Sequence, residues 1–98
     1  MNLGVTEIKK TLKDWHFCKA YSSTLQDGDE IVKKINAIER AVGALEDSEA
    51  TLIQMRFFNR VEIEEIAKGL HISAQAVYKR LNNIFKRMAY HISIGGGS

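Results

Sequence analysis

The sequence predicts an all-α chain. Three observations carry that reading. None of the 98 residues is proline. Apolar residues recur at spacings of three and four, the period of a helix face. Alternation of apolar and polar residues never lasts long enough for a strand. Proline lacks the backbone N–H and clashes with the preceding turn, so its absence leaves helices uninterrupted. Hydrophobic residues make up 45% of the chain and charged residues 27%. That is enough apolar matter for one small core, and it excludes wholesale disorder. About five helices are expected: an N-terminal helical pair within 1–44, a three-helix unit over 45–92, and a flexible tail or linker at 93–98.

The first helix is expected to start at Thr6, a good cap, with Glu7 in the first turn where the helix dipole favours an acid. Ile8, Leu12 and Trp15 mark one face, and Phe17 and Tyr21 lie on the other. A helix apolar on two sides is usually sandwiched, so this one is expected to meet either the rest of its own chain or a second chain. The run "SSTLQDGD" reads as a loop. Asp27 or Asp29 opens the second helix. Its Ile31, Ile35, Ile38, Val42 and Leu45 form a heptad seam, which either packs inside the monomer or pairs two copies.

The third helix lies in "EDSEATLIQMRFFN". Asp47 or Ser48 caps it, Leu52, Met55 and Phe58 with Ile53 form its apolar side, and Asn59 ends it. The fourth helix, in "EIEEIAKGL", carries Glu62, Glu64 and Glu65 at its start and buries Ile63, Ile66, Ala67 and Leu70. The fifth starts at Ser73 and buries Val77, Leu81, Ile84 and Met88, ending near Ile92.

The net charge of +2 hides a segregation of charge. Residues 1–65 hold nine basic and all twelve acidic residues, a balance of −3, while residues 66–98 hold five basic residues and no acid. A cationic segment without carboxylates suits a polyanion, because no acid on the contact surface repels phosphate.

The stretch "EIEEIAKGLHISAQAVYKRL" fits a helix-turn-helix. Such a motif needs a small residue where the helices cross, a turn residue that accepts positive φ, an apolar plug in the turn, and a capped second helix. Ala67, His71, Ile72 and Ser73 occupy those places in order. Glycine would be the easier choice at 71, since histidine enters the left-handed region at some cost.

Residues 45–88 resemble the fourth region of sigma-70 family transcription factors. The likeness runs through Leu45, Glu49, "MRFF" at 55–58, "EEIA" at 64–67, Leu70, "IS" at 72–73, Val77, "RL" at 80–81 and Met88. It implies a winged-helix-like or homeodomain-like three-helix unit that docks a helix in the major groove of a promoter element and touches RNA polymerase. The sequence departs from the family at Glu62, where threonine is usual near the cap, and at Ala74, Gln75 and Ala76, where arginines often stand. Base preferences therefore do not carry over. The layout, with "LKDW" and "IVKKINAIERAV", is similar to small phage and mobile-element regulators of the ArpU-like and late-activator types.

The start of the fifth helix is expected to meet base edges through Ala74, Gln75, Tyr78 and Lys79. Gln75 suits adenine, Lys79 guanine, and Ala74 a thymine methyl. Asn82 would reach a base or the backbone. Ser73 with the helix N-terminus would hold a phosphate, and Arg80 and Lys86, like Lys68 and Arg87, would meet phosphates or solvent. Arg56 and Arg60 would meet phosphate or pair with the acids of the fourth helix. The expected partner is duplex DNA, read by a homodimer joined through Phe17 and Tyr21 or through Ile31, Ile35, Ile38 and Val42. Alternatives are a module that binds RNA polymerase or a sigma factor, and the DNA-recognition subunit of a phage packaging terminase.

No enzyme, cofactor or metal is expected. One cysteine, Cys18, gives no internal disulfide or thiolate cluster, and His16, His71 and His91 share no ligand spacing. No signal-peptide pattern or membrane-length apolar run is present, so the cytoplasm is the expected compartment.

Overall fold

The computed structural model describes residues 2–26 and 28–95. Helices α1 (Val5–Lys13), α2 (Trp15–Ser22), α3 (Glu30–Ala44), α4 (Asp47–Ile53), α5 (Ile63–Leu70) and α6 (Ala74–Gly95) follow in order, with a π-helical turn at Gln54–Phe58 after α4. The described residues contain no strand. The all-α expectation holds, with six helices rather than five.

The additional helix arises at Asp14. Ile8, Leu12 and Trp15 all face the core, so their spacing reads as one continuous helix. Asp14 instead takes φ −105° and ψ 25°, well off the helical ψ of about −42°. Its N–H still reaches the Lys10 carbonyl at 3.3 Å, and the Cys18 N–H reaches the Asp14 carbonyl at 2.9 Å. The bend has a packing cause. α1 lies against α6, whereas α2 lies against α3 and the π-turn, and one straight rod would not serve both. Ion pairs Glu7–Lys34 (3.2 Å) and Lys19–Glu39 (2.8 Å) tie α1 and α2 to α3.

Several expected boundaries move. Gly4 precedes α1, and Thr6 lies inside it. Three hydroxyls end α2: Ser22, Ser23 and Thr24 donate to the carbonyls of Lys19, Ala20 and Tyr21 at 2.7–2.8 Å, satisfying acceptors that a helix end leaves open. Asp29 precedes α3, and Asp27 lies outside the described residues. Glu46, not Asp47 or Ser48, stands at the cap of α4, where its N–H donates to the Glu49 carboxylate at 3.3 Å. α6 continues past Ile92 to Gly95; residues 96–98 lie outside the described residues.

α6 is the spine. It packs against α1, α3, α4 and α5 through Val77, Leu81, Ile84, Phe85, Met88 and Ile92, all buried. Phe57 and Phe85 meet with ring centroids 5.9 Å apart at 49°, a geometry worth about 0.5–1.5 kcal/mol beyond the area it buries. Buried side chains from Leu3 to Ile92 form one cluster, so residues 1–44 and 45–92 share a core. The seam of α3 belongs to that core. Ile35, Ile38 and Val42 are buried and Ile31 is half-buried against them. The expectation that these four join two copies is therefore corrected: they face the chain's own interior.

The turn after α5 is a Schellman motif. The Ile72 N–H donates to the Ala67 carbonyl at 3.0 Å, and the His71 N–H to the Lys68 carbonyl at 3.2 Å. His71 sits at φ 57°, ψ 42°, the left-handed region. The motif's usual apolar contact is made by Ile72, packed on the core. Left-handed backbone costs a side-chain-bearing residue about 1–2 kcal/mol, while a glycine adds roughly 0.5–1 kcal/mol of unfolded-chain entropy. The strain outweighs the entropy. His71→Gly is expected to raise stability by about 0.5–1 kcal/mol in urea unfolding, with an unchanged m-value.

Candidate nucleic-acid interface

α6 has 22 residues and is thus about 33 Å long. Its inner face is fixed by the core, so its outer face is fixed as well. Gln75, Tyr78, Lys79, Arg80, Asn82 and Lys86 are all exposed. Gln75, Lys79, Asn82 and Lys86 follow one another at spacings of four, three and four, which places them along a single stripe opposite Val77, Leu81, Ile84 and Met88. Arg80 falls to one edge of that stripe. Ala74 differs from its neighbours: it is half-buried against the core, and only part of its methyl is left to meet a base.

Ser73 does what its position implies. Its hydroxyl accepts the Ala76 N–H at 3.1 Å, and its carbonyl accepts the Val77 N–H at 3.2 Å. Ala67, the small residue expected at the helix crossing, is 7% exposed. The two helices of the motif are therefore locked at the turn by three elements: the Schellman bonds, the Ile72 plug and the Ser73 cap.

The electrostatics of α6 are one-signed. No acid lies in the helix, and Lys68 stands exposed near the end of α5. Arg87 is the exception among the cations. Its Nε lies 3.3 Å from the Glu49 carboxylate, so Arg87 fastens α6 to the start of α4 and is removed from the free positive surface. Arg56 is likewise engaged. It is half-buried, and Nη1 donates to the Val61 carbonyl at 3.2 Å; neither it nor Arg60 pairs with the acids of α5 among the described residues.

Asn83 is not among the residues expected to meet DNA. It is exposed, one turn beyond Lys79, and extends the stripe toward Tyr90, itself 61% exposed. The signal was the four-residue spacing from Lys79, hidden beside the more prominent Asn82. Phe17 and Tyr21 are where they were expected, on an outer face of α2. They stack with centroids 6.0 Å apart at 17° and are 68% and 49% exposed.

Other reactive side chains are tied into the fold. His16 Nε2 lies 2.9 Å from the Phe58 carbonyl. Cys18 is half-buried, and burial first, then the Asp14 charge, pushes its thiol above the ordinary range against a smaller opposing effect of Lys34.

The sequence model of the family described as sigma-70, region 4 matches residues 35–88. The match begins within α3, ten residues before the segment that its motifs mark most clearly, and ends at Met88 in α6. No curated protein and no solved structure matches the chain.

Ser73→Ala is expected to cost about 1 kcal/mol of global stability, measured by denaturant unfolding, since it orphans the Ala76 N–H at the helix start.

Proposed function

The chain belongs to the sigma-70 region 4 family, and from that premise we propose that it is a sequence-specific DNA-binding transcription regulator of the phage or mobile-element type. Its family gives a helix-turn-helix role in binding DNA or in sigma-factor-like contact. The finer reading is supported chiefly by one observation: the outer stripe of α6 is exposed, polar to cationic, and free of carboxylates.

The start of α6 would enter the major groove, which is about 12 Å wide and admits a helix. Only the first half of a 33 Å helix fits there. Gln75 and Lys79 would then read adenine and guanine, Asn82 and Asn83 would follow the groove wall, and Lys86 would sit against the backbone. A single such helix makes few base contacts, so two half-sites would raise specificity. With the α3 seam buried in the core, the pairing surface would be Phe17 and Tyr21. The protein would act in the cytoplasm as a binding protein rather than an enzyme; among the described residues no helix is long and apolar enough to cross a membrane.

A second reading has the same aromatic pair engaging RNA polymerase, with DNA held weakly without it. Exposed stacked aromatics suit any protein partner. Selection of random duplexes by the purified chain, with and without polymerase, separates the two. Enrichment of one motif by the chain alone supports the leading reading, and enrichment only with polymerase defeats it.

Gln75→Ala is expected to relax preference at one base position, at a cost of about 1–3 kcal/mol on the selected site. Lys86→Ala should weaken selected and random duplexes alike and lower the salt slope by about one; both are read by fluorescence titration over a range of salt. Phe17→Glu, at a residue 68% exposed, should leave the fold intact and turn a dimer into a monomer by light scattering. A wild-type chain that is already monomeric at tens of micromolar would remove this face from the dimer reading.

A further inference from the structure

A groove of about 280 Å³ opens on the side of the molecule where α1 and α2 meet the π-turn. Leu12 and Phe57, both buried, border it; Lys13 and His16 line it from the N-terminal helices, and Arg56, Arg60 and Glu62 line it from the π-turn and the loop that follows. Three cationic residues and one acidic residue thus line the same groove. Lys13 and Arg60 have no carboxylate within 4 Å among the described residues. Arg56 is oriented by the Val61 carbonyl and His16 by the Phe58 carbonyl.

Two backbone irregularities converge on the same place. The π-turn puts the Asn59 N–H on the Gln54 carbonyl at 2.8 Å, and the Val61 N–H on the Met55 carbonyl at 2.8 Å. Arg60 between them has φ 56°. π-turns and left-handed residues with side chains are both costly, and both concentrate at functional sites. Here they place Arg56 and Arg60 in one groove with Lys13 and His16, a wall supplied by the N-terminal helices. That wall lies outside the matched segment 35–88.

We infer that this groove binds a small organic phosphate: a phosphate held by Arg60 and Lys13 beside Arg56, with the organic part of the ligand filling the rest of the groove. Arginine's planar donor fork matches a phosphate, and the groove is larger than a bare oxyanion needs. The DNA backbone is the poorer occupant. Glu62 lines the groove, and Glu64 and Glu65 are exposed in the next turn. A duplex, with a charge about every 1.7 Å of its axis, would press many phosphates against those acids, whereas a small ligand brings one. The inference does not rest on the DNA-binding role of α6.

The test is a thermal titration of the full chain with phenyl phosphate, inorganic phosphate and phenol at constant ionic strength. Phenyl phosphate is expected to raise the unfolding midpoint by about 7 °C at ten times its Kd, inorganic phosphate by less, and phenol not at all. Arg60→Gly removes the guanidinium and relaxes the left-handed backbone. Its ligand-free midpoint should hold or rise while most of the ligand-induced shift disappears; Lys13→Gln should weaken binding several-fold. No shift with phenyl phosphate, or an equal shift in Arg60→Gly, overturns the inference. None of these outcomes alters the reading of Gln75.

Discussion

Burial of the inner stripe of α6 conditions everything else in this chain. Four helices close over Val77, Leu81, Ile84, Phe85, Met88 and Ile92. Each large apolar side chain taken from water contributes roughly 1.5–3 kcal/mol. A helix held so firmly along one side cannot rotate, because turning it by even one residue would pull half of that stripe into water. The orientation of Gln75, Lys79, Asn82 and Lys86 follows without any contact of their own. The core thereby does for the outer face what a separate scaffold would otherwise have to do, and it does so without buried polar groups among the described residues.

The N-terminal helices answer a problem that this arrangement creates. A three-helix unit of α4, α5 and α6 would leave much of a 33 Å helix uncovered on its inner side. α1 and α3 fill that space, and the bend at Asp14 lets α2 continue around to the π-turn. There Trp15 stacks on Phe58 with centroids 4.9 Å apart at 28°, and His16 occupies the Phe58 carbonyl. The π-turn leaves backbone acceptors that a regular helix would use, and a side chain 42 residues away satisfies one of them. The irregular turn and the N-terminal helices therefore stabilise one another, and losing either would expose unpartnered polar backbone.

Local chemistry explains which parts of this were legible in the sequence. Ala67, His71, Ile72 and Ser73 act within one turn of themselves, so their roles follow from residue type and spacing alone. The apolar stripes of α3, α5 and α6 were legible for the same reason, and with them the exposed places of Gln75, Lys79 and Lys86; Leu70, expected on the buried face of α5, is instead 41% exposed at the end of that helix, beside the turn. The break at Asp14 was not, because Ile8, Leu12 and Trp15 keep one phase on either side of it and the bend is dictated by where α3 and α6 lie. The π-turn was not, because no propensity marks it. It moved the expected apolar side: Phe57 is buried where Phe58 was expected, and Phe58 and Met55 are only half-buried. It also moved the helix stop by one residue, so that Arg60 rather than Asn59 takes the left-handed conformation. The seam of α3 was ambiguous in principle, since two heptads fit an intramolecular and an intermolecular groove equally well; only the presence of α6 beside it decides.

The charge pattern acquires its meaning from this geometry. A net charge of +2 is too small to draw the chain toward a polyanion from afar, and beyond about 8 Å physiological salt screens it further. What matters is the separation of signs. The acids gather at the start of α4 (Glu46, Asp47, Glu49) and at the start of α5 (Glu62, Glu64, Glu65), while α6 carries none. Glu49, the acid that reaches α6, is neutralised there by Arg87. Such a distribution behaves as a dipole with its positive side along the outer stripe. It orients the molecule at short range more than it accelerates the approach, and the face so presented is the one that the buried stripe has already fixed.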